Sequence, residues 1–420
     1  MKTRRARKPL TDTVKIEMAL ERFTYDQTKK RFKRLSEVAR AFDRDAAIVA
    51  KATSDAFDKG LVEIRKVERN KDVEPFQQAV KRNDELEQRL RDRLPSINVR
   101  VIDPPGEVAV SSANSDSRKY SDDVHMYLGA ALAKDLYDGL YVNQNDMIGL
   151  GSGRSVFYTV ESLRHHPKLN WTGVKLVSLS GHVNATDYSG QINGGLDADL
   201  HVNLLALCIR QRAKQVLFGC PITGHNLPAK ASKKTMIDRL EEEKKRSPVG
   251  LKWKENRCKL AICGVGSFTT GHRFYEFIHN RAEIEDRDNE LIPIVEELQT
   301  INSLCRANSI HGEFDYIPVG DICNHLFFIP HPNGAMPVEQ KLRAAIQSVN
   351  KKLLNVSWEQ FSQVDRIIVL SGTKRKAAAV LELVQNRARQ PRPLKVQMLY
   401  IDAETANGML ALLKAQRDNG

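Results

Sequence analysis

Residues 146–163 read Asp-Met-Ile-Gly-Leu-Gly-Ser-Gly-Arg-Ser-Val-Phe-Tyr-Thr-Val-Glu-Ser-Leu. Met147 to Leu150 is a short apolar run, the pattern of a strand buried on both faces, and Val156 to Leu163 carries a helical pattern. Between them lies Gly149-Leu150-Gly151-Ser152-Gly153-Arg154-Ser155. Its glycines admit a ligand close to the backbone, and the N–H groups at the start of a helix suit an anion. Ser152, Arg154 and Ser155 add donors. The Gly-Lys-Ser/Thr of a P-loop is missing, and no acidic residue stands in the strand context of a ribose site. A tight strand-to-helix turn is the plain alternative to a ligand loop.

Outward from this unit the same alternation continues. A helix is predicted from Val124 to Leu140, and strands at Val174 to Leu179, Gln215 to Phe218, Leu260 to Val265, Ile367 to Leu370 and Val396 to Ile401. Strands separated by helices imply an α/β fold with a mostly parallel sheet covered on both faces. The loops after the strands then share one edge, where such folds bind ligands. Ser371-Gly372-Thr373-Lys374-Arg375-Lys376 repeats the glycine-loop design with three cations, and Gly320-Asp321-Ile322 reads as a third loop offering a carboxylate to sugar hydroxyls. Two anion-ready loops and a carboxylate describe a pocket for a small polyhydroxy compound bearing a phosphate or carboxylate.

Upstream, residues 76–94 place Phe76, Val80, Leu86, Leu90 and Leu94 at mostly helical intervals, so an amphipathic helix and a dimerisation seam are expected there. Pro95 stops it, and residues 97–102 alternate like the first strand of a new domain. Pro104-Pro105-Gly106 and the polar stretch Ser111 to Ser121 read as a long loop.

Charge marks off the chain's first quarter. The 420 residues hold 65 Lys and Arg against 52 Asp and Glu, a net +13. Residues 1–100 contribute 26 against 17, so +9 of that excess sits there. A basic head on a nearly neutral body suggests nucleic-acid binding, although basic solubility tails share this signature. Within the head, Leu35, Val38, Ala39 and Phe42 recur at helical spacing. Asp43, Arg44 and Asp45 break the pattern, and Ala46, Val49, Ala52, Thr53 and Ala56 share the face of a second helix that Gly60 ends. Leu61 to Val67 alternates like a strand or wing. Two short helices joined by three residues fit a helix-turn-helix, with a generic helical hairpin as the alternative. Arg34, Arg44, Ala46, Ala47 and Lys51 are the expected DNA-contacting residues, at the start of the second helix and just before the first. The reading face is apolar apart from Lys51, so phosphate contacts and DNA shape must do much of the work.

Composition excludes several classes. At 41% hydrophobic and 28% charged, the chain is too apolar for a disordered protein and too polar for a membrane one. No apolar run approaches the roughly 18 residues of a spanning helix, and the basic N-terminus lacks an apolar segment behind it, so a cytoplasmic location is expected. The six cysteines form no CxxC pair and read as thiols in a reducing compartment. No metal site and no cofactor are expected, since His165-His166 and His325 with His331 are ordinary surface histidines by spacing.

Taken in order, these segments resemble the SorC family of bacterial sugar-responsive transcriptional regulators, related to the DeoR type. The resemblance runs from about residue 35 to 415. It rests on Glu37, Val38, Ala39, Phe42, Val49, Gly60, Leu61 and Val62 in the helix-turn-helix, and on Gly151 to Ser155 in the glycine loop. Leu179-Ser180-Gly181-His182-Val183, His201-Val202-Asn203, Gly264-Val265-Gly266-Ser267, Gly320-Asp321-Ile322-Cys323 with Phe327 and Phe328, and Gly372 with Lys376 complete it. The resemblance implies a body like that of sugar-phosphate isomerases that binds its ligand without turnover. Gly151, Ser152, Gly153, Arg154, Ser155 and Lys376 would hold the ligand's anionic end, Gly181, His182 and Asp321 would line the remainder, and Gly372 would belong to the same effector site. Asp43 departs from the family's turn glycine, and Ser155 and His182 replace a Thr and a Gly.

The expected organisation is a basic arm and winged helix-turn-helix over 1–75, a linker helix over 76–95 and an α/β effector and oligomerisation domain over 96–420. The expected function is a non-enzymatic DNA-binding regulator whose sugar or sugar-phosphate effector modulates operator binding by a homodimer or homotetramer. A sugar-phosphate isomerase or deaminase with an added basic domain is the alternative, and Asp321, His182, His201 and Asp197 are its acid/base candidates.

Overall fold

The structure, a computed structural model, describes residues 35–42, 81–103, 117–164, 173–180, 258–269, 292–312, 315–332, 338–352, 356–388 and 392–418. Shorter pieces lie at 14–15, 17–18, 25–26, 31–32, 44, 48–49, 51–52, 171, 198, 201–202, 204–205, 215–217, 274 and 278. The chain divides into two units, Met1–Val73 and Glu74–Gly420.

In the first unit, β1 (Tyr25–Asp26) pairs antiparallel with β2 (Arg31–Phe32), and α1 (Leu35–Ala41) follows. Val38 and Ala39 of α1 are buried with Val49 and Ala52, which are helical, and with Met18 from an earlier helical piece. Thus the apolar faces read from sequence do meet, and Met18 adds a buried side chain that the two-helix reading had not included. Of the expected turn at 43–45 only Arg44 is described, and the expected wing at 61–67 lies entirely outside the described residues.

The second unit is built on one sheet. Its strands are β3 (Lys81–Arg82), β4 (Asn98–Asp103), β5 (Met147–Leu150), β6 (Lys175–Ser178), β7 (Gln215–Leu217), β8 (Leu260–Ser267), β9 (Val319–Ile322), β10 (His325–Phe328), β11 (Arg366–Ser371) and β12 (Val396–Asp402). The order across the sheet is β3-β4-β12-β11-β8-β5-β6-β7. Every pairing from β4 to β7 is parallel, whereas β3 joins β4 antiparallel, β9 joins β8 antiparallel and β10 joins β9 antiparallel.

The strands alternate sides residue by residue, as the period of two requires. Ile367, Val369, Ala261, Cys263, Leu399 and Ile401 lie in one core; Ile368, Leu370, Leu260, Ile262, Met398 and Tyr400 lie in the other. The second core is closed by α3 (Ser117–Tyr137) and α4 (Arg154–Arg164), through Leu128, Leu132, Leu136, Val156 and Val160. The first is closed by α2 (Asp84–Arg93), α5 (Ile292–Asn308), α6 (Glu339–Lys351), α7 (Trp358–Ser362), α8 (Ala377–Gln385) and α9 (Ala403–Asp418). Burying both faces is why the strands read as continuous apolar runs.

Three expectations need correction. The helix expected over 76–94 begins only at Asp84, because residues 81–82 form the edge strand and Asn83 caps the helix by accepting from Leu86 N–H. Its apolar residues Leu86, Leu90 and Leu94 are buried in the body's own core, so that stripe is not free to serve as a dimerisation seam. Glu87 holds the same junction: it accepts from Val101 N–H at 3.1 Å and pairs with Arg82 and Arg91. Next, α3 starts at Ser117, inside the stretch read as loop, and stops at Tyr137. Finally, Gly320-Asp321-Ile322 is not a loop but strand β9. Cys323 and Asn324, with φ of 52° and 62°, make the two-residue turn into β10. Two left-handed residues are what such a hairpin requires, but Cys-Asn lacks the usual glycine signal.

Candidate functional site

Strands β12, β11, β8 and β5 are neighbours, so the turns at their carboxyl ends converge on one edge. The chain runs outward one way from β5 to β6 and β7, and the other way from β8 to β11 and β12. The β5/β8 seam is therefore the topological switch point, where an open α/β sheet leaves a crevice.

The glycine loop sits on that seam. Gly151 N–H donates to Ile262 O at 2.8 Å, and His201, fully buried, places Nδ1 2.9 Å from Gly151 O. A Cβ on Gly151 would come 2.8 Å from Cys323 Sγ and 3.3 Å from Cys263 Cα, so only glycine fits against the β8–β10 framework. Gly153, at φ 113°, takes the backbone into a region closed to L side chains and aims α4 at the loop edge. Because α4 opens at Arg154, its first N–H groups lack partners within the helix and face that edge.

The second turn leaves β11 at Ser371 and enters a 3-10 turn over Lys374–Lys376 before α8. Thr373 holds φ at 83°, strained for a β-branched residue. Its backbone is pinned from both sides. The N–H donates to both carboxylate oxygens of Asp402, at 3.2 and 3.1 Å, and the carbonyl accepts from Lys376 N–H and from Thr405 Oγ1. Ser267, at the end of β8, donates to Arg375 O at 2.9 Å, tying this turn to the β8 edge.

A side-chain line joins the two turns. Lys376 Nζ lies 3.2 Å from His125 Nε2, and His125 Nδ1 lies 2.7 Å from Ser155 Oγ. His125 on α3 and Ser155 on α4 are buried, and Lys376 is half-buried. Burial, with the cations of Lys376 and Arg154 nearby, holds the His125 imidazole well below its ordinary range, so it is neutral. Burial also draws Lys376 down to about 8, helped by Arg154 and opposed by Asp402 and Asp321. Asp402, buried at the end of β12, is pushed upward by burial against the pull of the Thr405 and Thr373 hydrogen bonds. A half-buried ammonium and a guanidinium crowded against two helix starts form a site that an anion would relieve.

Of the expected effector residues, Gly151, Ser152, Gly153, Arg154, Ser155, Gly372 and Lys376 lie on these two turns. Asp321 lies on β9, close enough to Lys376 to act on its charge. Gly181 and His182 fall outside the described residues. Of the expected DNA contacts, Arg44 and Lys51 are exposed, whereas Arg34, Ala46 and Ala47 lie outside the described residues. Sequence reasoning missed His125 and Asp402, and it named Thr373 only as part of its loop. A lone histidine on an apolar helix carries no signal of a partner 251 residues away. Among the described residues no group of three metal-ligating side chains occurs, and no helix is long and apolar enough to cross a membrane.

No family model and no curated protein matches the sequence. Solved structures do. The full-length sorbitol operon regulator SorC from Klebsiella pneumoniae is similar at 17% identity and a TM-score of 0.48, over 96% of this chain and 99% of that one. A transcriptional regulator from Streptococcus pneumoniae is similar at 14% identity and 0.47, over 80% and 98%. A DeoR family transcriptional regulator from Listeria monocytogenes gives 14% and 0.46, over 78% and 98%. The solved structures that this chain resembles thus include regulators of the SorC and DeoR type, at low sequence identity.

Proposed function

We propose that the protein is a DNA-binding transcriptional regulator whose body, the second unit, binds a sugar, sugar phosphate or related carbohydrate effector. The observation that carries the effector half is the bridge from Lys376 through His125 to Ser155, which joins two glycine-containing turns at the switch point of a parallel sheet. Arg154, Lys376 and the start of α4 would take an anionic end, while Asp321 and the segment of Gly181 and His182 would meet hydroxyls. The DNA half rests on the +9 carried by residues 1–100 and on the helix-turn-helix pattern, with Arg34, Arg44, Ala46, Ala47 and Lys51 as its contacts.

The mechanism is linkage: an effector that binds the DNA-competent and DNA-incompetent states unequally shifts operator occupancy with its concentration. A symmetric homodimer or homotetramer reading paired half-sites completes the proposal. The test is a thermal-shift screen of the full chain against sugars and sugar phosphates, followed by gel shifts on its operator with and without each hit. Loss or gain of DNA binding with a stabilising ligand supports the regulator. Turnover of ribose- or glucosamine-phosphate into product would instead identify an enzyme.

A further inference from the structure

The line from Lys376 to Ser155 has a property that neither end has alone. A neutral imidazole carries one N–H and one lone pair, so its two contacts cannot be set independently. While Lys376 is an ammonium it can only donate, so His125 Nε2 must accept and the ring proton sits on Nδ1, directed at Ser155 Oγ 2.7 Å away. The Ser155 hydroxyl hydrogen is then released from the imidazole and can donate to another acceptor. Once Lys376 is an amine the line can reverse. Nε2–H then donates to Nζ, the serine hydroxyl donates to Nδ1, and the serine oxygen keeps lone pairs but no free hydrogen.

We infer that His125 is a positioning residue that transmits the charge state of Lys376 to the hydroxyl of Ser155, so that the tautomer freeing this loop hydroxyl to donate is enforced only while Lys376 is charged. This rests on the anion-binding reading of that loop. It also sharpens that reading. The loop is matched to a ligand end that bears acceptors alone, such as a phosphate or sulfate dianion, and is mismatched to an ammonium or a protonated acid.

The surroundings meet the condition that the relay needs. Among the described residues, the charged groups facing Lys376 are Arg154 from α4, Asp402 from β12 and Asp321 from β9, and those facing His125 are Lys376 and Arg154. The imidazole therefore stays neutral across the range in which the amine titrates, near 8. Ser155 is 3% exposed and His125 5%, so water does not readily replace either contact.

The experiment uses the full chain labelled with 15N-histidine, observed by long-range proton–nitrogen NMR from about pH 6.5 to about pH 9.5. The His125 signal is identified by its loss in His125→Gln. The expected result is an Nδ1–H tautomer at the low end and an Nε2–H tautomer at the high end, with the exchange abolished in Lys376→Met. The same tautomer at both ends, or an exchange that persists in Lys376→Met, overturns the relay. Inorganic sulfate, dianionic throughout this range, is the binding probe by calorimetry. Its affinity is expected to fall about tenfold from pH ~7 to pH ~9, following the charged fraction of an amine that titrates near 8. Undetectable sulfate binding at pH ~7 would overturn the anion reading of the loop, and the tautomer arm would still decide the relay.

Discussion

Lys376 concentrates the site's chemistry in one side chain, because it is the only lysine in contact with His125 among the described residues and its charge is held down by burial and by Arg154. Lys376→Ala is expected to abolish the effector-induced thermal shift while DNA affinity in a gel-shift titration stays unchanged; a normal effector response in that variant would eliminate this pocket. Gly151 tests the same site from its backbone. An alanine there would press on Cys323 Sγ at 2.8 Å, and on Cys263 Cα and Ile262 O at 3.3 Å. Two of those three atoms are backbone and cannot swing aside. Gly151→Ala should cost about 1–3 kcal/mol, seen as a lower urea midpoint, and should weaken ligand binding as the loop shifts.

At the scale of elements, two helices on the α9 side of the sheet make separable predictions. Helix α8 ends at Gln385 with Asn386 left-handed, and Glu382 reaches past this end to accept from Ala388 N–H at 2.8 Å. Burial pushes its carboxyl up to about 7, against the pull of the Ala388 N–H and Arg387. Its folded-state value therefore lies above the unfolded one, near 4.5. The stabilisation it gives is complete below the unfolded value and is lost as pH rises through about 7. At higher pH the buried carboxylate becomes a liability of up to ~3 kcal/mol. Glu382→Gln keeps an acceptor for Ala388, so it should raise the urea midpoint at pH ~8 and leave it nearly unchanged at pH ~4. Helix α2 is the second case. Leu90 is fully buried in the body's core, so Leu90→Ala should cost about 2–5 kcal/mol of the body's stability in a denaturant titration. A near-neutral result would mean that α2 does not belong to this core.

Across the whole molecule, the uneven charge makes its own claim. With +9 of the +13 in residues 1–100, DNA affinity is expected to fall steeply and linearly on a plot of log affinity against log salt. Lys51→Ala, at the exposed start of the second helix, should weaken operator binding several-fold at physiological salt. An unchanged titration would remove Lys51 from the interface. The strands were legible because a parallel strand covered on both faces is a short unbroken apolar run, as at Met147–Leu150 and at Ile367 to Leu370. The glycine loop was legible because a strand-to-helix turn needs its glycines in the local sequence. Such features follow from neighbours a few residues apart, and local pattern alone settles them. The hairpin at Cys323-Asn324, the docking of α2 and the site's own wiring were not legible, since each depends on what a distant segment brings. His125 meets Ser155 30 residues on and Lys376 251 residues on, only because β5 and β11 flank β8 in one sheet. Which turns share an edge, and hence which side chains share a proton, is a property of strand order, and strand order is set by the packing of the whole sheet between its helices.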